Sequence, residues 1–432
     1  MHPHRQAAAA IVRALRDAGH VAYFAGGCVR DELLGRVPSD YDVATDATPD
    51  RIGAMFPRSS RVGAAFGVML VHAPGAHGNA VIEVATFRTD ASYSDRRRPD
   101  SVTFSTPGAD AQRRDFTVNA LFLDPFGVPA PGDGPVPAGW GGGQVIDFVG
   151  GLADLKARVL RAVGVPDQRL AEDHLRALRA ARLAAKLEFS IEPATADAIR
   201  AHAAELRGVS RERIGDELRM MFEAPTRAAA AGLLQDLRLT EPVLMDSRGQ
   251  WGGGPPLGGG QLLAGLTEPV PFGVAVAAWG LDLGLRVRDA GCRAAFSHAA
   301  RGALCLSNEE RDEVVRALEG LLVMLGPGGW TDWGVAQQKR FAASASCCAG
   351  FALLSVADPG VADRVRSRID EHAVSGPGIA PIPILSGDEL VAMGHKPGPA
   401  FKAILDGVYD AQLEGRVWNL DQARELVAKM CV

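Results

Sequence analysis

Asp40 and Asp42, two aspartates separated by one residue, are the feature of the sequence whose type and spacing most directly suggest chemistry. On a strand, residues two apart project from the same face, so the two carboxylates are expected side by side. Hard oxygen ligands of this kind are what Mg²⁺ prefers. Two such ions about 4 Å apart can activate a hydroxyl nucleophile and neutralise a leaving pyrophosphate. The pair therefore predicts a Mg²⁺ site, with both aspartates as metal ligands and catalytic residues.

A glycine pair precedes the two aspartates and is a candidate phosphate site. Gly26 and Gly27 separate a predicted strand from a predicted helix, where backbone N–H groups can approach an anion closely. Arg30 adds a fork of donors for phosphate oxygens. On its own, a Gly-Gly pair usually marks a plain turn, and an Asp-x-Asp motif usually lies in a turn or on a solvent-exposed strand edge. Here the two motifs lie close together in the sequence, with predicted strands on either side. This arrangement favours a combined metal and phosphate site.

Glu83 is a candidate third carboxylate, because it lies in an apolar run that reads as a neighbouring strand. Many two-metal sites take a ligand from such a position. The alternative, a hydrogen-bonded acid that supports the sheet, is slightly favoured here.

These motifs carry a resemblance to a known family. Residues 26–31 (Gly-Gly-Cys-Val-Arg-Asp) and 40–42 (Asp-Tyr-Asp) resemble the head domain of bacterial CCA-adding enzymes and poly(A) polymerases, the class II branch of the polymerase-β-like nucleotidyltransferases. The resemblance implies that the acidic pair binds the catalytic metals and that Gly27 and Arg30 contact the triphosphate. It also implies an α+β fold class, with a head of mixed sheet and helices followed by an all-α neck, body and tail.

Residues 113–121 (Arg-Arg-Asp-Phe-Thr-Val-Asn-Ala-Leu) resemble the family's second motif, which reads the sugar of the incoming nucleotide. A carboxylate can accept from ribose hydroxyls, and a guanidinium can orient it or hold a phosphate. An isolated Arg-Asp pair is more often a surface salt bridge. The order of the motifs reverses that interpretation, and the resemblance implies that Arg114 and Asp115 bind the nucleotide.

Residues 171–182 (Ala-Glu-Asp-His-Leu-Arg-Ala-Leu-Arg-Ala-Ala-Arg) are predicted to form one helix on which Asp173 and Arg176 are neighbours. A carboxylate plus a guanidinium matches the amino donor and ring acceptor of cytosine or adenine. Uracil and guanine present the reverse order and would leave buried groups unpaired. The pattern is similar to the family's amino-acid template, which selects CTP and ATP. The alternative is a surface salt bridge.

By the same resemblance, Arg179 and Arg182 continue the nucleotide-binding face of this helix. Glu172 is expected to brace Arg176 rather than touch the base. Residues 208–218 look like the family's last neck motif, with Ser210 as a natural N-cap. We expect this motif to have a structural role, bracing the template helix, with Arg213 in a capping arrangement or an internal salt bridge.

The elements that must position these residues follow from hydrophobic pattern. A helix is predicted to end at Gly19, and strands are predicted over 21–25, 41–45, 68–72 and 81–87, with a helix over 29–34 between the first two. Alternating strands and helices indicate an α/β arrangement for the first 150 residues. Beyond residue 150 the pattern is helical with no strand-like run.

Composition sets further bounds. A chain of 432 residues exceeds one compact core, and the predicted domains are a head over 1–150, a neck over 151–227, a body over 228–335 and a tRNA-binding tail over 336–432. Six cysteines without a C-x-x-C pair argue against a zinc site or a disulfide framework. The net charge of −5 is mild evidence against an RNA partner. Neither a membrane-length apolar run nor a signal peptide is found, so a cytoplasmic location is expected.

The leading hypothesis is a CCA-adding enzyme that transfers CMP, CMP and AMP from CTP and ATP to tRNA, with Mg²⁺ and no membrane partner. Residues 62–68 resemble the CCA-enzyme form, and residues 385–399 resemble the tail of many bacterial CCA enzymes, although a plain Gly/Pro turn explains the latter equally well. A poly(A) polymerase and a partial CC- or A-adding enzyme share the other motifs. A catalytically inactive RNA-binding protein is the alternative from another class.

Overall fold

The computed structural model describes residues 3–62, 67–75, 78–90, 102–128, 142–266, 269–326 and 329–430. The chain forms two compact units. The first comprises Met1–Arg213 and Gly232–Pro242, and the second comprises Ile214–Ala231 and Val243–Val432. The finer division into head, neck, body and tail stays a prediction.

The first unit is built around a mixed sheet, as predicted. The strands are β1 Ala22–Ala25, β2 Asp42–Thr45, β3 Ser59–Arg61, β4 Val68–Gly75, β5 Gly78–Thr86, β6 Arg88–Asp90, β7 Val102–Phe104, β8 Phe122–Asp124, β9 Gln144–Ile146, β10 Val159–Leu160 and β11 Ser190–Ile191. Seven of them lie in the order β3-β4-β5-β2-β1-β8-β9, and every neighbouring pair is antiparallel except β2 with β5. A second small sheet pairs β6 with β7.

The helices that accompany these strands begin with a long N-terminal helix and continue through the predicted neck. Proline or a side-chain cap opens several of them; Thr48 and Thr106 each accept a hydrogen bond from the third residue beyond. The helices are α1 Pro3–Asp17, α2 Gly27–Leu33, α3 Pro49–Met55, α4 Pro107–Arg113, α5 Gly151–Ala157, α6 Pro166–Glu172, α7 Arg176–Leu187, α8 Pro193–Ala201 and α9 Arg211–Phe222.

The register of the central strands decides which side chains meet. The short apolar strand β1 is buried and pairs with β2, so that Ala25 lies opposite Asp42. On its other side β2 runs parallel to β5, with Asp42 opposite Glu83. An apolar cluster that includes Phe87 and Phe122 packs within this unit. The sheet thereby carries two acidic residues on adjacent strands at one position.

One expectation for the neck was wrong. Residues beyond 150 do contain strands, because β10 and β11 form a parallel pair of two residues each. A residue in the left-handed conformation ends the helix before each strand: Arg158 directly precedes β10, and Glu188 lies two residues before β11. A ladder this short leaves no alternating pattern for sequence analysis to detect.

The remaining described residues are helical, as predicted, and no strand occurs among those beyond 211. In the second unit the helices Asn308–Leu325 (α16) and Ala345–Ala357 (α18) pack closely: a Cβ added at Gly320 would lie 1.9 Å from the carbonyl oxygen of Ser346. The helices are α10 Arg227–Asp236, α11 Thr240–Val243, α12 Arg248–Trp251, α13 Leu262–Gly265, α14 Phe272–Asp282, α15 Ala290–Leu304, α16 Asn308–Leu325, α17 Val335–Ala342, α18 Ala345–Ala357, α19 Pro359–Val374, α20 Gly387–Ala392, α21 Pro399–Leu413 and α22 Leu420–Met430.

The last three helices have an apolar core of their own, centred on Leu390, Val408 and Val427. No single helix among the described residues is both long and apolar enough to cross a bilayer, and α17 with α18 meets these requirements only as a pair bent by 81°.

Candidate active site

The two aspartates predicted as metal ligands lie at the start of β2. Asp42 is the first residue of the strand, whereas Asp40 belongs to the preceding loop and is exposed. The expectation that both lie on one strand was therefore wrong by two residues, because regular pairing with β1 begins only at Asp42. Burial, Glu83 and Asp40, in that order, raise the pKa of Asp42 to about 7, against a smaller opposing effect of the Arg114 charge.

Glu83 belongs to the same cluster of negative charge. Desolvation and the charge of Asp40 raise its pKa. Within the described ranges no side chain donates a hydrogen bond to Glu83, so the favoured interpretation of a hydrogen-bonded acid has no support in the structure. Nor does any described Lys, Arg or His form a salt bridge with Asp40, Asp42 or Glu83. We call Asp40, Asp42 and Glu83 the carboxylate cluster.

The donor chemistry of the carboxylate cluster fits a divalent cation. All of its ligand atoms are carboxylate oxygens, which suit Mg²⁺ and not a thiophilic metal. Among the described residues no group of three or more His, Cys, Asp or Glu side chains is placed to hold a metal ion, so Asp40, Asp42 and Glu83 do not together form a three-ligand set. An ion here would thus complete its coordination with other oxygens, and Mg²⁺ commonly keeps several waters or substrate phosphates as ligands.

The predicted phosphate site adjoins β1. Gly26 follows the strand with a φ of +75°, and Gly27 begins α2. The positive φ favours glycine here, and a Cβ at Gly26 would lie 3.0 Å from Nη1 of Arg114, so that guanidinium would have to shift by a few tenths of an ångström. Arg30 is buried on α2 and pairs with Asp31, its Nη2 lying 2.7 Å from Oδ1.

Asn119, which sequence analysis did not single out, connects the predicted phosphate and ribose residues. Its Oδ1 accepts from Nη1 of Arg30 at 2.5 Å, and its Nδ2 donates to Oδ1 of Asp115 at 3.2 Å. Its backbone carbonyl accepts from Nη1 of Arg114 at 3.1 Å. Its place in the motif at 113–121 was the only available signal, since the contact with Arg30 crosses 89 residues of chain.

Asp115 and Arg179, both predicted to bind the nucleotide, form an ion pair. Nε and Nη2 of Arg179 donate to Oδ2 of Asp115 at 2.9 and 2.7 Å. Burial alone would raise the pKa of Asp115, but Arg179, Asn119 and the N–H of Phe116 together lower it to about 2. Arg114 is held separately, through Nε to Oδ2 of Asp110 at 3.1 Å.

The predicted template helix is broken, which corrects the expectation that residues 171–182 form one helix. α6 ends at Glu172, Asp173 is extended with φ −151° and ψ 105°, and α7 begins at Arg176. Asp173 and Arg176 are therefore not neighbours on one helical face. The side chain of Asp173 instead accepts from the backbone N–H of Leu175 at 3.1 Å, the kind of local bond with which Asp competes against helix.

Each of these two residues has a different partner. Nη2 of Arg213 donates to Oδ2 of Asp173 at 2.6 Å, which agrees with the bracing role expected for the motif at 208–218. Arg176 is buried and forms an ion pair with Glu172, as expected, and its Nη1 also donates to the carbonyl of Arg169 at 2.6 Å. Arg182 lies on α7, half-buried, three residues beyond Arg179.

One motif lacks a structural description. Residues 63–66, the centre of the segment at 62–68 that favours CCA addition, lie outside the described residues. The tail segment at 385–399 is described: Ser386 caps α20 with a reciprocal bond to Glu389, and Gly394 follows that helix with a φ of +89°. Both observations suit a helix-capped turn.

Comparisons with known proteins agree with the arrangement of motifs. A model of the poly A polymerase head domain matches residues 22–161, and a model described as a probable RNA and SrmB-binding site of polymerase A matches residues 188–246. A CCA-adding enzyme of Geobacillus thermodenitrificans is 40% identical over 254 residues, and this match spans 58% of either chain. The leading curated matches thus cover little more than half the length of those relatives.

Two further likenesses extend over nearly the whole chain. A CCA-adding enzyme of Limosilactobacillus fermentum is 34% identical over 424 residues, which is 95% of this chain and 92% of that one. The crystal structure of a Bacillus stearothermophilus CCA-adding enzyme in complex with CTP superposes with a TM-score of 0.74 at 26% identity, covering 100% of this chain and 98% of the other.

Proposed function

This chain belongs to the family of CCA-adding enzymes, and we propose that it adds CMP, CMP and then AMP to tRNA 3′ ends, with release of pyrophosphate from CTP and ATP. The observation that carries the proposal is the carboxylate cluster, three acids on adjacent chain segments that form no salt bridge with a described basic residue. Nearby acids such as Glu32, Asp31 and Asp110 instead pair with arginine. Negative charge without a positive partner is costly to remove from water, and a bound cation would compensate it.

The carboxylate cluster would bind Mg²⁺ through Asp40 and Asp42, and Glu83 beside them would add negative charge. When bound, a pair of such ions lowers the pKa of a hydroxyl nucleophile and neutralises charge on the leaving pyrophosphate. The strand register supports the cluster, because it holds Asp42 and Glu83 at directly opposed positions. No described cation forms a salt bridge that would compete with the metal for these oxygens.

Arg30, Asn119, Arg114 and Asp115 would bind the sugar and phosphates of the incoming nucleotide. Arg30 and Arg114 supply donors, and Asp115 supplies an acceptor for ribose hydroxyls. Asn119 fixes all three by hydrogen bonds, so their spacing does not depend on long flexible side chains alone. Gly27, at the start of α2, leaves room for phosphate oxygens, and Arg179 and Arg182 extend the positive charge along α7.

Asp173 and Arg176 would select the base. Both have protein partners without nucleotide, so a base edge must take the place of some of these contacts. Cytosine or adenine returns one donor and one acceptor to the pair, which keeps the number of hydrogen bonds constant. Uracil or guanine presents the reverse order and leaves both residues unsatisfied, which is the basis for rejection.

The substrate RNA, by this proposal, is tRNA that lacks part or all of its CCA end, and the second unit would hold it. The cytoplasm is the compartment that follows from this substrate in bacteria. A poly(A) polymerase is the competing enzyme, and a partial CC- or A-adding enzyme is a variant of the same proposal. The likeness over 92% of a CCA-adding enzyme favours CCA addition over polyadenylation.

Sequencing of extension products tests the proposal. Purified protein and Mg²⁺ would be incubated with a tRNA lacking CCA and with CTP alone, ATP alone or both. We expect CC with CTP alone and CCA with both, stopping after three nucleotides. Long A tails from ATP on an unrelated RNA would establish polyadenylation instead, and an unextended tRNA in every reaction would refute transfer. A generic RNA of equal length serves as the control substrate.

A further inference from the structure

A buried ionic network holds the residue that lies between Asp40 and Asp42. Tyr41 donates from its hydroxyl to Oε1 of Glu32 on α2 at 2.6 Å. The same oxygen accepts from Nε of Arg5 on α1 at 2.7 Å. Arg5, Glu32 and Tyr41 are only 5%, 6% and 3% exposed, so all three are sealed from solvent.

Further contacts close this network on itself. Nη2 of Arg5 donates to the carbonyl of Gly142 at 2.9 Å, and the guanidinium lies 5.5 Å from the ring centroid of Phe24. That ring meets Tyr41 edge-on at 5.4 Å. The Glu32 carboxylate thus has donors from two other elements, and Tyr41 is held by its hydroxyl and its ring. A satisfied buried network of this kind favours one geometry over alternatives.

Stability is a weak explanation for such a network. A buried ion pair loses most of its Coulombic gain to desolvation, and apolar side chains of similar volume often serve as well or better. What the ion pair adds is a single acceptor position for the Tyr41 hydroxyl. Exposure alternates along residues 40–42, with Asp40 exposed, Tyr41 buried and Asp42 between the two. In extended chain, successive side chains leave on opposite faces, so a fixed Tyr41 fixes how its two neighbours project.

We propose that Tyr41, anchored by Glu32 and Arg5, is a positioning residue that sets the spacing of the Asp40 and Asp42 carboxylates for a divalent cation. This inference rests on the proposed function only in taking those two aspartates as metal ligands. The anchor joins α1 and α2 to the loop before β2, and α2 also carries Arg30. The same short helix would therefore orient both the phosphate-binding arginine and the metal-binding loop.

Direct metal binding tests the inference. Tyr41→Phe removes the hydroxyl and leaves the ring, and Mn²⁺ titration of the full-length protein, followed by the electron paramagnetic resonance of the free ion, gives the dissociation constant. Loss of a group that orients metal ligands typically weakens metal binding by 10- to 100-fold, and we expect the Mn²⁺ dissociation constant of Tyr41→Phe to rise about tenfold. Tyr409→Phe is the matched control, because its phenol also donates to one acceptor, the carbonyl of Pro381 at 3.1 Å, in the second unit.

A double variant tests the same hydrogen bond from the side of its acceptor. Arg5→Met with Glu32→Leu removes the acceptor of Tyr41 without leaving an unpaired buried charge, and the same rise is expected. An unchanged Mn²⁺ dissociation constant in folded Tyr41→Phe overturns the inference, whatever happens to its melting temperature. If tRNA extension fails in the parent protein while Tyr41→Phe still weakens Mn²⁺ binding, the positioning role stands and the proposed function falls. Normal extension by the parent protein, with unaltered Mn²⁺ affinity in Tyr41→Phe, would retain the proposed function and refute the positioning role.

Discussion

The carboxylate cluster and the ion pair of Asp115 are two acidic regions of one unit with opposite electrostatics. Burial and its acidic neighbours raise the pKa of Asp42 to about 7, whereas Arg179 and hydrogen bonds lower the pKa of Asp115 to about 2 despite its burial. Both carboxyl groups are largely removed from water. The difference lies in the partner, since Asp115 is paired directly with a guanidinium, while Asp42 has acids beside it and only the weaker, opposing field of Arg114.

This contrast separates residues that await a ligand from residues that have a protein partner. Desolvated charge without compensation is costly, and a fold keeps it where a ligand supplies the missing charge. A compensated pair such as Asp115 with Arg179 instead presents fixed donors and acceptors. In the proposed function the carboxylate cluster would be the part of the site that needs a cation. The residues around Asn119 and Arg176 would be the part that contacts the nucleotide.

The largest expected effect is on catalysis by the uncompensated region. Asp42→Asn retains the shape of the side chain and removes one charge, and we expect kcat for CMP transfer to fall by about 10³-fold or more, because several kcal/mol of metal-dependent stabilisation are lost. Binding of tRNA, measured by filter retention, should change little. Asp46→Asn, an exposed acid on the same segment, is the control. Activity within tenfold of the parent would remove the reason for treating the two regions differently.

Selectivity is the next largest effect, and it belongs to the compensated region. Arg176→Ala should lower discrimination of CTP against UTP by about 10- to 100-fold, since it removes the contact that we propose rejects the wrong base. The measurement is kcat/KM for each nucleotide. Arg200→Ala, which loses a surface pair with Asp197, should leave the ratio unaltered. If the ratio for Arg176→Ala also stays at the parent value, base selection lies elsewhere.

Stability should respond with opposite signs in the two regions. Asp115→Asn breaks a partly buried pair with Arg179, and we expect the free energy of unfolding to drop by about 1–3 kcal/mol. Asp42→Asn relieves repulsion in the carboxylate cluster, so without divalent metal the free energy should stay level or rise. Urea denaturation in a chelator measures both. If the free energy of unfolding fell by a similar amount in Asp115→Asn and Asp42→Asn, the two regions would not differ in charge compensation.

The smallest effect is the acid dependence of the Asp115 pair. The pKa of Asp115 is about 2 in the folded protein, below the usual value near 3.9 for an aspartate in an unfolded chain. The pair with Arg179 therefore stabilises the fold above pH 4. That contribution, at most about 2 kcal/mol because Arg179 is partly exposed, is lost as the pH falls from 4 to 2. The stability difference between the parent and Asp115→Asn should shrink over this interval. A constant difference would show that charge is not its source.

The hydrophobic pattern predicted alternating strands and helices in the head and a helical remainder, because apolar runs such as residues 21–25 and regular helical spacing are local patterns. The mixed sheet was implied by the family resemblance. The pattern-based prediction was wrong where a side chain competes with the backbone. Asp173 turns its carboxylate to a backbone N–H and interrupts the helix, so the spacing of Asp173 and Arg176 does not make them neighbours. It also overlooked β10 and β11, whose two-residue pairing leaves no periodic signal.

The residue types and the order of the motifs were thus determined by the sequence alone: the acidic pair, Gly27 with Arg30, Arg114 with Asp115, and the basic face of α7. Only the tertiary structure decided which charges are compensated. In the folded chain Asp115 pairs with the guanidinium of Arg179, and Asn119 accepts a hydrogen bond from Arg30, which is 89 residues away in the sequence. The fold also sets Glu83 beside Asp42 through strand pairing. The physical reason is that charge compensation depends on distance in space, which a linear pattern does not contain.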